Sequence, residues 1–230
     1  MSAEKYIVKT NESNNGKTTV IFSGIYPEND YCLEKLKVDG IAYKYRLYYR
    51  TLWSNFDKPE LLTFILLNPS TANQYTNDPT INNCIKLAKQ SQYDGIEVIN
   101  IYTERNPVYS KITKLSKTSR FPQVENIEYT DGVKPVLKNI VFAYGCKKFT
   151  KIDKQNINKV FELCKNTAEN YFIIGIKDSK LITLGYKEQI KHTRHPGNQG
   201  WAKLGGFKNA KLKDITNDIY LEKVFKYVQS

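Results

Sequence analysis

Four short apolar runs alternate with segments of helical periodicity, and this alternation constrains the chain more than any other feature. The runs are Leu61 to Leu67 (LLTFILL), Ile96 to Tyr102 (IEVINIY), Asn139 to Tyr144 (NIVFAY) and Tyr171 to Ile174. Continuous apolar runs of this length read as strands covered on both faces. After the first run, Asp78-Pro79 reads as the cap and first turn of a helix. Ile81, Cys84, Ile85 and Ala88 share its apolar face, and Gly95 follows its end. After the third run, Asp153 can cap a helix with Ile157, Val160, Phe161 and Cys164 on one side. Strand, helix and strand in succession pair in parallel through right-handed crossovers. The pattern therefore predicts an α/β fold, a three-layer α/β/α sandwich around a central four-stranded, mostly parallel sheet.

The flanks are less regular. Residues 1–56 are expected to form a β-rich extension packed on a main domain of residues 57–230. Thr18 to Phe22 is rich in β-formers, and Tyr43 to Trp53 carries aromatics at near-alternate positions. The segment Thr103 to Lys138 is expected to hold a helix near Val124 to Leu137. A last helix is expected over Asn217 to Tyr227, with Leu221, Val224, Phe225 and Val228 on one stripe. No repeat or Pro/Gly linker divides the 230 residues.

Composition narrows the function. The chain is 40% apolar and 13% aromatic, enough for a packed core. Lys+Arg 35 against Asp+Glu 23 gives a net charge of +12, which suits a polyanion such as nucleic acid. Lysine supplies most of it beside abundant Asn, Ile and Tyr, a mixture that AT-rich coding also produces. No apolar run approaches the ~18–20 residues of a membrane helix, and Met1 to Thr10 has no apolar leader core. A cytoplasmic monomer without a membrane segment is expected. Cys32, Cys84, Cys146 and Cys164 include no CxxC pair, so they read as reduced thiols and no metal site is expected. No GxGxxG follows a strand, and GxSxG is absent. Gly16-Lys17-Thr18 lacks the upstream glycine of a phosphate loop. Nothing in the sequence calls for a cofactor.

Ligands of open α/β sheets bind beyond the carboxyl ends of the strands. The first run ends in Asn68-Pro69-Ser70-Thr71-Ala72, with Tyr75 and Asp78 nearby. The second contains Asn100 and leads to Arg105. The third ends in Ala143-Tyr144-Gly145. The fourth leads on to His195-Pro196-Gly197. Each residue also has a plain structural reading. Asn68-Pro69-Ser70 suits a turn, Asp78 a helix cap, Asn100 a satisfied strand amide, His195 a surface loop and Tyr144 the core.

The strings LNPSTANQYTNDPT (Leu67 to Thr80), VINIYTERNP (Val98 to Pro107), AYG (Ala143 to Gly145) and the late His-Pro resemble a bacterial and phage family marked by an LNPSTA…DPT signature. That signature names no activity. The same motif order more distantly resembles the uracil-DNA glycosylase superfamily. There, a first strand ends in a water-activating motif, a middle strand carries a base-reading Asn, a third ends in Trp-Gly or Leu-Gly, and a late His-Pro-Ser begins a DNA-inserting loop. Leu67 replaces the Gly of the first motif, Tyr144 the Trp and Gly197 the Ser. The cluster-bearing branch uses an N-terminal CxxC, absent here, so no iron–sulfur cluster is expected.

The resemblance implies a DNA glycosylase acting on a flipped damaged or modified pyrimidine, including those of phage DNA. Asn68 would orient the water with its carbonyl oxygen, and Asp78 would restore the missing carboxylate. His195 would hydrogen-bond the base oxygen that gains negative charge. Asn100 would pair with the base edge, beside Pro69, Ser70 and Thr71, with Tyr75 or Tyr144 stacking. Trp201 and Leu204 would fill the vacated stack, and Arg105, Lys203, Lys208 and Lys211 would contact phosphates. A non-catalytic nucleic-acid-binding module and a hydrolase or binder of a free nucleoside or nucleotide are the competing readings.

Overall fold

A computed structural model describes residues 6–13, 16–23, 45–73, 75–106, 108–112, 117, 135–145, 149–176, 195–197, 207–217 and 221–222. The four apolar runs become β4 (Leu61–Leu66), β5 (Gly95–Asn100), β6 (Asn139–Phe142) and β7 (Asn170–Ile176). These pair in parallel in the order β5-β4-β6-β7. Two helices lie between them, α1 (Pro79–Gln90) and α2 (Lys151–Lys165).

The fold is α/β, but its sheet is larger than four strands. β1 (Tyr6–Ser13), β2 (Gly16–Ser23) and β3 (Tyr48–Leu52) continue it antiparallel beyond β5, and β8 (Ala210–Asp214) adds antiparallel to β7. The extension has a physical reason on each side. Tyr48 and Tyr49 of β3 are fully buried and pack into different apolar clusters, so β3 lies between two covered faces. At the far edge, β8 reads Ala-Lys-Leu-Lys-Asp, and charged residues suit an edge strand.

The chain winds in two directions from β4. It crosses through α1 to β5 on one side, then returns to β6 and crosses through α2 to β7 on the other. Right-handed crossovers in opposite directions place their helices on opposite faces. Accordingly, Ile81, Cys84, Leu87 and Ala88 of α1 pack with Leu62, Phe64 and Val98. Ile157, Val160, Phe161 and Cys164 of α2 pack with Ile65, Ile99 and Phe142. Asp78 caps α1 as expected. The cap of α2 is Thr150 rather than Asp153, which sits three residues inside and completes a capping box. Residues 135–137 are not helical, and the rest of the helix expected over 124–137 lies outside the described residues. Of the expected last helix, Asn217, Leu221 and Glu222 are described; Asn217 lies in a turn, and Leu221 and Glu222 are helical. No helix of the described residues is long and apolar enough to cross a membrane. Cys84 and Cys164 are buried free thiols.

One carboxylate joins the two parts of the sheet. Glu97 of β5 is fully buried. Its Oε1 accepts from Tyr48 Oη (2.5 Å) and from Arg50 Nη2 (2.6 Å), both on β3. Its Oε2 accepts from Thr63 Oγ1 of β4 (2.8 Å). The backbone N–H groups of Val136 and Leu137, leading into β6, also donate to it. Burial and the neighbouring carboxylate push the Tyr48 hydroxyl well above its usual range, so it stays a donor. Removing one member of such a network leaves a buried charge uncompensated, at a cost of about 3–5 kcal/mol. Glu97→Ala is expected to lower unfolding stability by that amount in urea titrations. A loss under about 1 kcal/mol would show the network is dispensable.

Candidate functional site

A chain that leaves a strand in both directions creates a crevice where the strand order reverses. Here that point is the carboxyl end of β4, between β5 and β6. The segments that meet there were fixed by local chemistry. Beyond β4, the loop Asn68 to Ala72 is cross-tied to the loop beyond β5. Asn106 N–H donates to Pro69 O (2.9 Å), and Asn68 Nδ2 donates back to Asn106 O. Arg105 adds bonds from Nε to Ser70 O (3.3 Å) and from Nη2 to Thr71 O (2.9 Å). The Asn68 amide is thereby oriented, with its nitrogen committed and its oxygen left as the acceptor.

Asp78 and Asn100 lie on the α1 face of this crevice. Asp78 Oδ1 accepts from Ile81 N–H (2.9 Å), and Oδ2 from Ala72 N–H (3.4 Å). Both oxygens serve the backbone, so the carboxylate acts as cap and loop anchor. Asp78, expected to restore the carboxylate missing from the first motif, is thus engaged by two backbone N–H groups. Asn100 is 1% exposed at the end of β5. Its Oδ1 accepts from Arg46 Nη2 (3.1 Å), and Arg46 Nη1 reaches Ala72 O (3.2 Å).

Arg46 was absent from the sequence candidates. It lies in an aromatic-rich stretch that reads as a strand with alternating polar positions, and nothing in that pattern marks it as buried. Yet it is 1% exposed, lies over the Tyr49 ring at 5.4 Å and has Nε without a partner. Burial pulls its guanidinium down to about 10 from the usual 12.5, with Asp78 pulling the other way.

His195 arrives from beyond β7. A Cβ on Gly145 would meet His195 Cβ at 3.4 Å, so the imidazole segment abuts the end of β6. Gly145 turns there with φ +96°, a left-handed conformation that glycine accepts freely. Pro196 O accepts from Asn83 Nδ2 (2.8 Å), which ties the segment to α1. Gly197 N–H donates to His195 Nδ1 (3.0 Å). An accepting Nδ1 places the imidazole proton on Nε2, the tautomer that can donate outward. A Cβ on Gly197 would lie 2.3 Å from Thr80 Oγ1, so any side chain there requires Thr80 to shift.

The other candidates separate. Pro69 is buried, Ser70 is half-buried and Thr71 is exposed on the same loop. Tyr75 is 73% exposed beside an Asn73 turn, whose Oδ1 accepts from the Tyr75 and Thr76 N–H groups, so its ring stands at the rim. Tyr144 is corrected to a core residue. It is 2% exposed, with its ring 5.7 Å from Phe149 and 6.4 Å from Phe161 on the α2 face. Lys208 and Lys211 are exposed near the carboxyl end of β7, where Lys211 pairs with Gly175. Trp201, Lys203 and Leu204 lie outside the described residues.

The molecule is thus an α/β protein whose polar side chains Asn68, Asp78 and Asn100 gather at the switch point of its parallel strands. It belongs to the family described as "Protein of unknown function (DUF1643)", which matches residues 46–196 and so spans Arg46 to Pro196 of the crevice. No curated protein and no solved structure matches the chain.

The Gly197 contact makes a direct test. Gly197→Ser is expected to destabilise by about 1–3 kcal/mol through overpacking. Adding Thr80→Ala should restore at least half of the loss in a thermal double-mutant cycle. Additive effects would show that the two residues do not meet.

Proposed function

We propose that the protein is a DNA N-glycosylase-like hydrolase with a core of the uracil-DNA glycosylase type. Its substrate would be a flipped damaged or modified pyrimidine, including those of phage DNA, and it would work as a cytoplasmic monomer. The observation that carries this reading is a convergence. An amide from the end of β4, an amide from the end of β5 and an imidazole from beyond β7 belong to segments meeting at one switch point.

The chemistry follows from these groups. Water oxygen bonds to the sugar C1′ as the C1′–N bond breaks and its electron pair leaves with the base. The water proton passes to the base or to solvent. Asn68 offers an oriented acceptor for that water but cannot remove its proton. His195, with its proton on Nε2, suits a base oxygen that becomes negative. With an amide rather than a carboxylate at the Asn68 position, the site favours bases that leave readily. Tyr75 at the rim offers an exposed ring against a flipped base, and Arg105, Lys203, Lys208 and Lys211 would meet phosphates. Trp201 and Leu204 would fill the vacated stack.

The commitment of both Asp78 oxygens to backbone N–H groups favours a second reading, nucleic-acid binding without catalysis. A base-release assay separates the two. Single- and double-stranded DNA carrying uracil, hydroxymethyluracil or modified phage pyrimidines would be incubated with the protein, treated with alkali and analysed by mass spectrometry. Release is expected, with His195→Ala slower by about 10²–10³ and Asn68→Ala also slower. Binding without release across the panel would establish the second reading. Neither binding nor release would move the substrate to a free nucleoside or nucleotide.

If DNA is the partner, affinity should fall linearly in log–log plots against salt. Lys208→Ala and Lys211→Ala should each reduce the slope by about 1. Unchanged slopes would remove these lysines from the DNA path.

A further inference from the structure

Arginine has no acceptor, so the Asn100 atom facing Arg46 Nη2 at 3.1 Å must be Oδ1. Arg46 thereby fixes the Asn100 amide and leaves its nitrogen pointing elsewhere. That Nδ2 is buried without a partner, and so is Arg46 Nε. Neighbouring side chains, each 1% exposed, therefore hold N–H groups with no acceptor. Buried polar groups are normally paired, and an exception calls for an explanation.

The surroundings define what would pair with them. Arg46 carries a buried positive charge and forms no ion pair among the described residues. Asp78 acts on it electrostatically, but both Asp78 oxygens already accept backbone N–H groups. The amino end of α1 adds partial positive charge close by, at Ala72 and Asp78. An acceptor with negative charge satisfies both deficits, the missing hydrogen bonds and the missing counter-charge. A neutral group such as water satisfies only the first.

We infer that Arg46 and Asn100 form a binding site for an oxyanion, a carboxylate or a phosphate, beneath the loop that carries Ala72. Arg46 Nε and Asn100 Nδ2 donate to its oxygens. Arg46 Nη1 already holds Ala72 O at 3.2 Å and Nη2 holds Asn100, so Nε is the guanidinium donor left for the anion. The site therefore recognises groups by acceptors and charge. This deepens the proposed function, because it rests on the same crevice and makes Asn100 a donor to its ligand. Arg46 acts as both ligand-binding and positioning residue.

The test needs neither DNA nor base release. The full-length protein would be titrated with inorganic phosphate and, separately, with acetate, each at constant ionic strength balanced by chloride. Thermal unfolding and calorimetry would be the readouts. A saturable response to at least one anion is expected, with a midpoint rise of about 3–5 °C per tenfold concentration above saturation. Response to phosphate alone identifies a phosphoryl ligand, and response to acetate alone a carboxylate.

Asn100→Asp places an internal carboxylate against Arg46. It is expected to raise the midpoint of the anion-free protein and to abolish the response. Arg46→Met should abolish the response too, and Asn100→Asp keeps the inference testable if Arg46→Met fails to fold. No response beyond chloride would overturn the inference and leave the donors to a structural water. A response that survives both substitutions would also overturn it, by placing the anion elsewhere. Base release without an anion response sinks this inference alone. An anion response without base release sinks only the glycosylase reading.

Discussion

The buried Glu97 carboxylate holds the register on which the crevice depends. Tyr48 and Arg50 of β3 can both reach it only when Arg50 lies opposite Glu97, which is the pairing in the sheet. Four residues before Arg50, Arg46 is then set by its own backbone bond from N–H to Thr103 O at 2.9 Å. A one-residue slip of β3 would turn every side chain to the other face. Arg46, two residues before the strand, would be displaced from Asn100. A network on the α2 face thus fixes the strand that follows a residue on the α1 face. The same carboxylate binds the N–H groups of Val136 and Leu137, so it also sets how the chain enters β6.

A second buried acid plays a parallel part beyond β5. Asp153 is 2% exposed and accepts from Tyr102 Oη, from Lys117 Nζ (3.4 Å) and from both the N–H and hydroxyl of Thr150 (2.8 Å each). It ties the start of α2 to the segment leaving β5. Tyr102 N–H in turn donates to Leu67 O (2.8 Å), just before Asn68. The carboxyl ends of β4 and β5 are therefore held from the α2 side by Asp153 and Tyr102, and on the α1 side by Asp78 and Arg46. Between these two clamps, the loops beyond β4 and β5 are tied by the Asn68, Asn106 and Arg105 bonds. Asn68 and Asn100 sit on a rigid frame, which fixed amide orientations require.

What the sequence disclosed and what it hid follow from how each signal arises. The parallel strands were legible because burial on both faces demands unbroken apolar runs, and α1 because Asp78-Pro79 marks a helix start. β8 was not legible. Ala-Lys-Leu-Lys-Asp alternates over five residues, and an edge strand exposes enough of them to resemble a loop. The placement of the α2 cap on Thr150 was missed because Asp153 suits either role, and only the backbone geometry distinguishes cap from third position. Tyr144 could not be assigned from sequence, because β6 ends in a residue that can face either layer. Asn68, Asn100 and His195 stood out because turn formers and an amide are unusual after apolar strands. Arg46 and Glu97 stayed hidden. A charged residue in a strand reads as solvent-facing unless its partners are known, and theirs lie 54 and 47 residues away.

The two hidden charges have opposite fates, and the difference bears on function. Glu97 and Arg50 form a buried pair in which hydrogen bonds also satisfy the carboxylate, an arrangement complete within the chain. Among the described residues, Arg46 has a carbonyl, an amide oxygen and an aromatic face, but neither a carboxylate within ion-pair distance nor a partner for Nε. A fold that needed Arg46 only for structure would gain by supplying the missing acceptor, since an unpaired buried donor costs about 1–3 kcal/mol. A site that binds must instead keep its donors unsatisfied until the ligand arrives. The incomplete arginine lies at the switch point of the strands and the complete one lies away from it, as expected if the fold's unmet hydrogen bonds are reserved for its ligand.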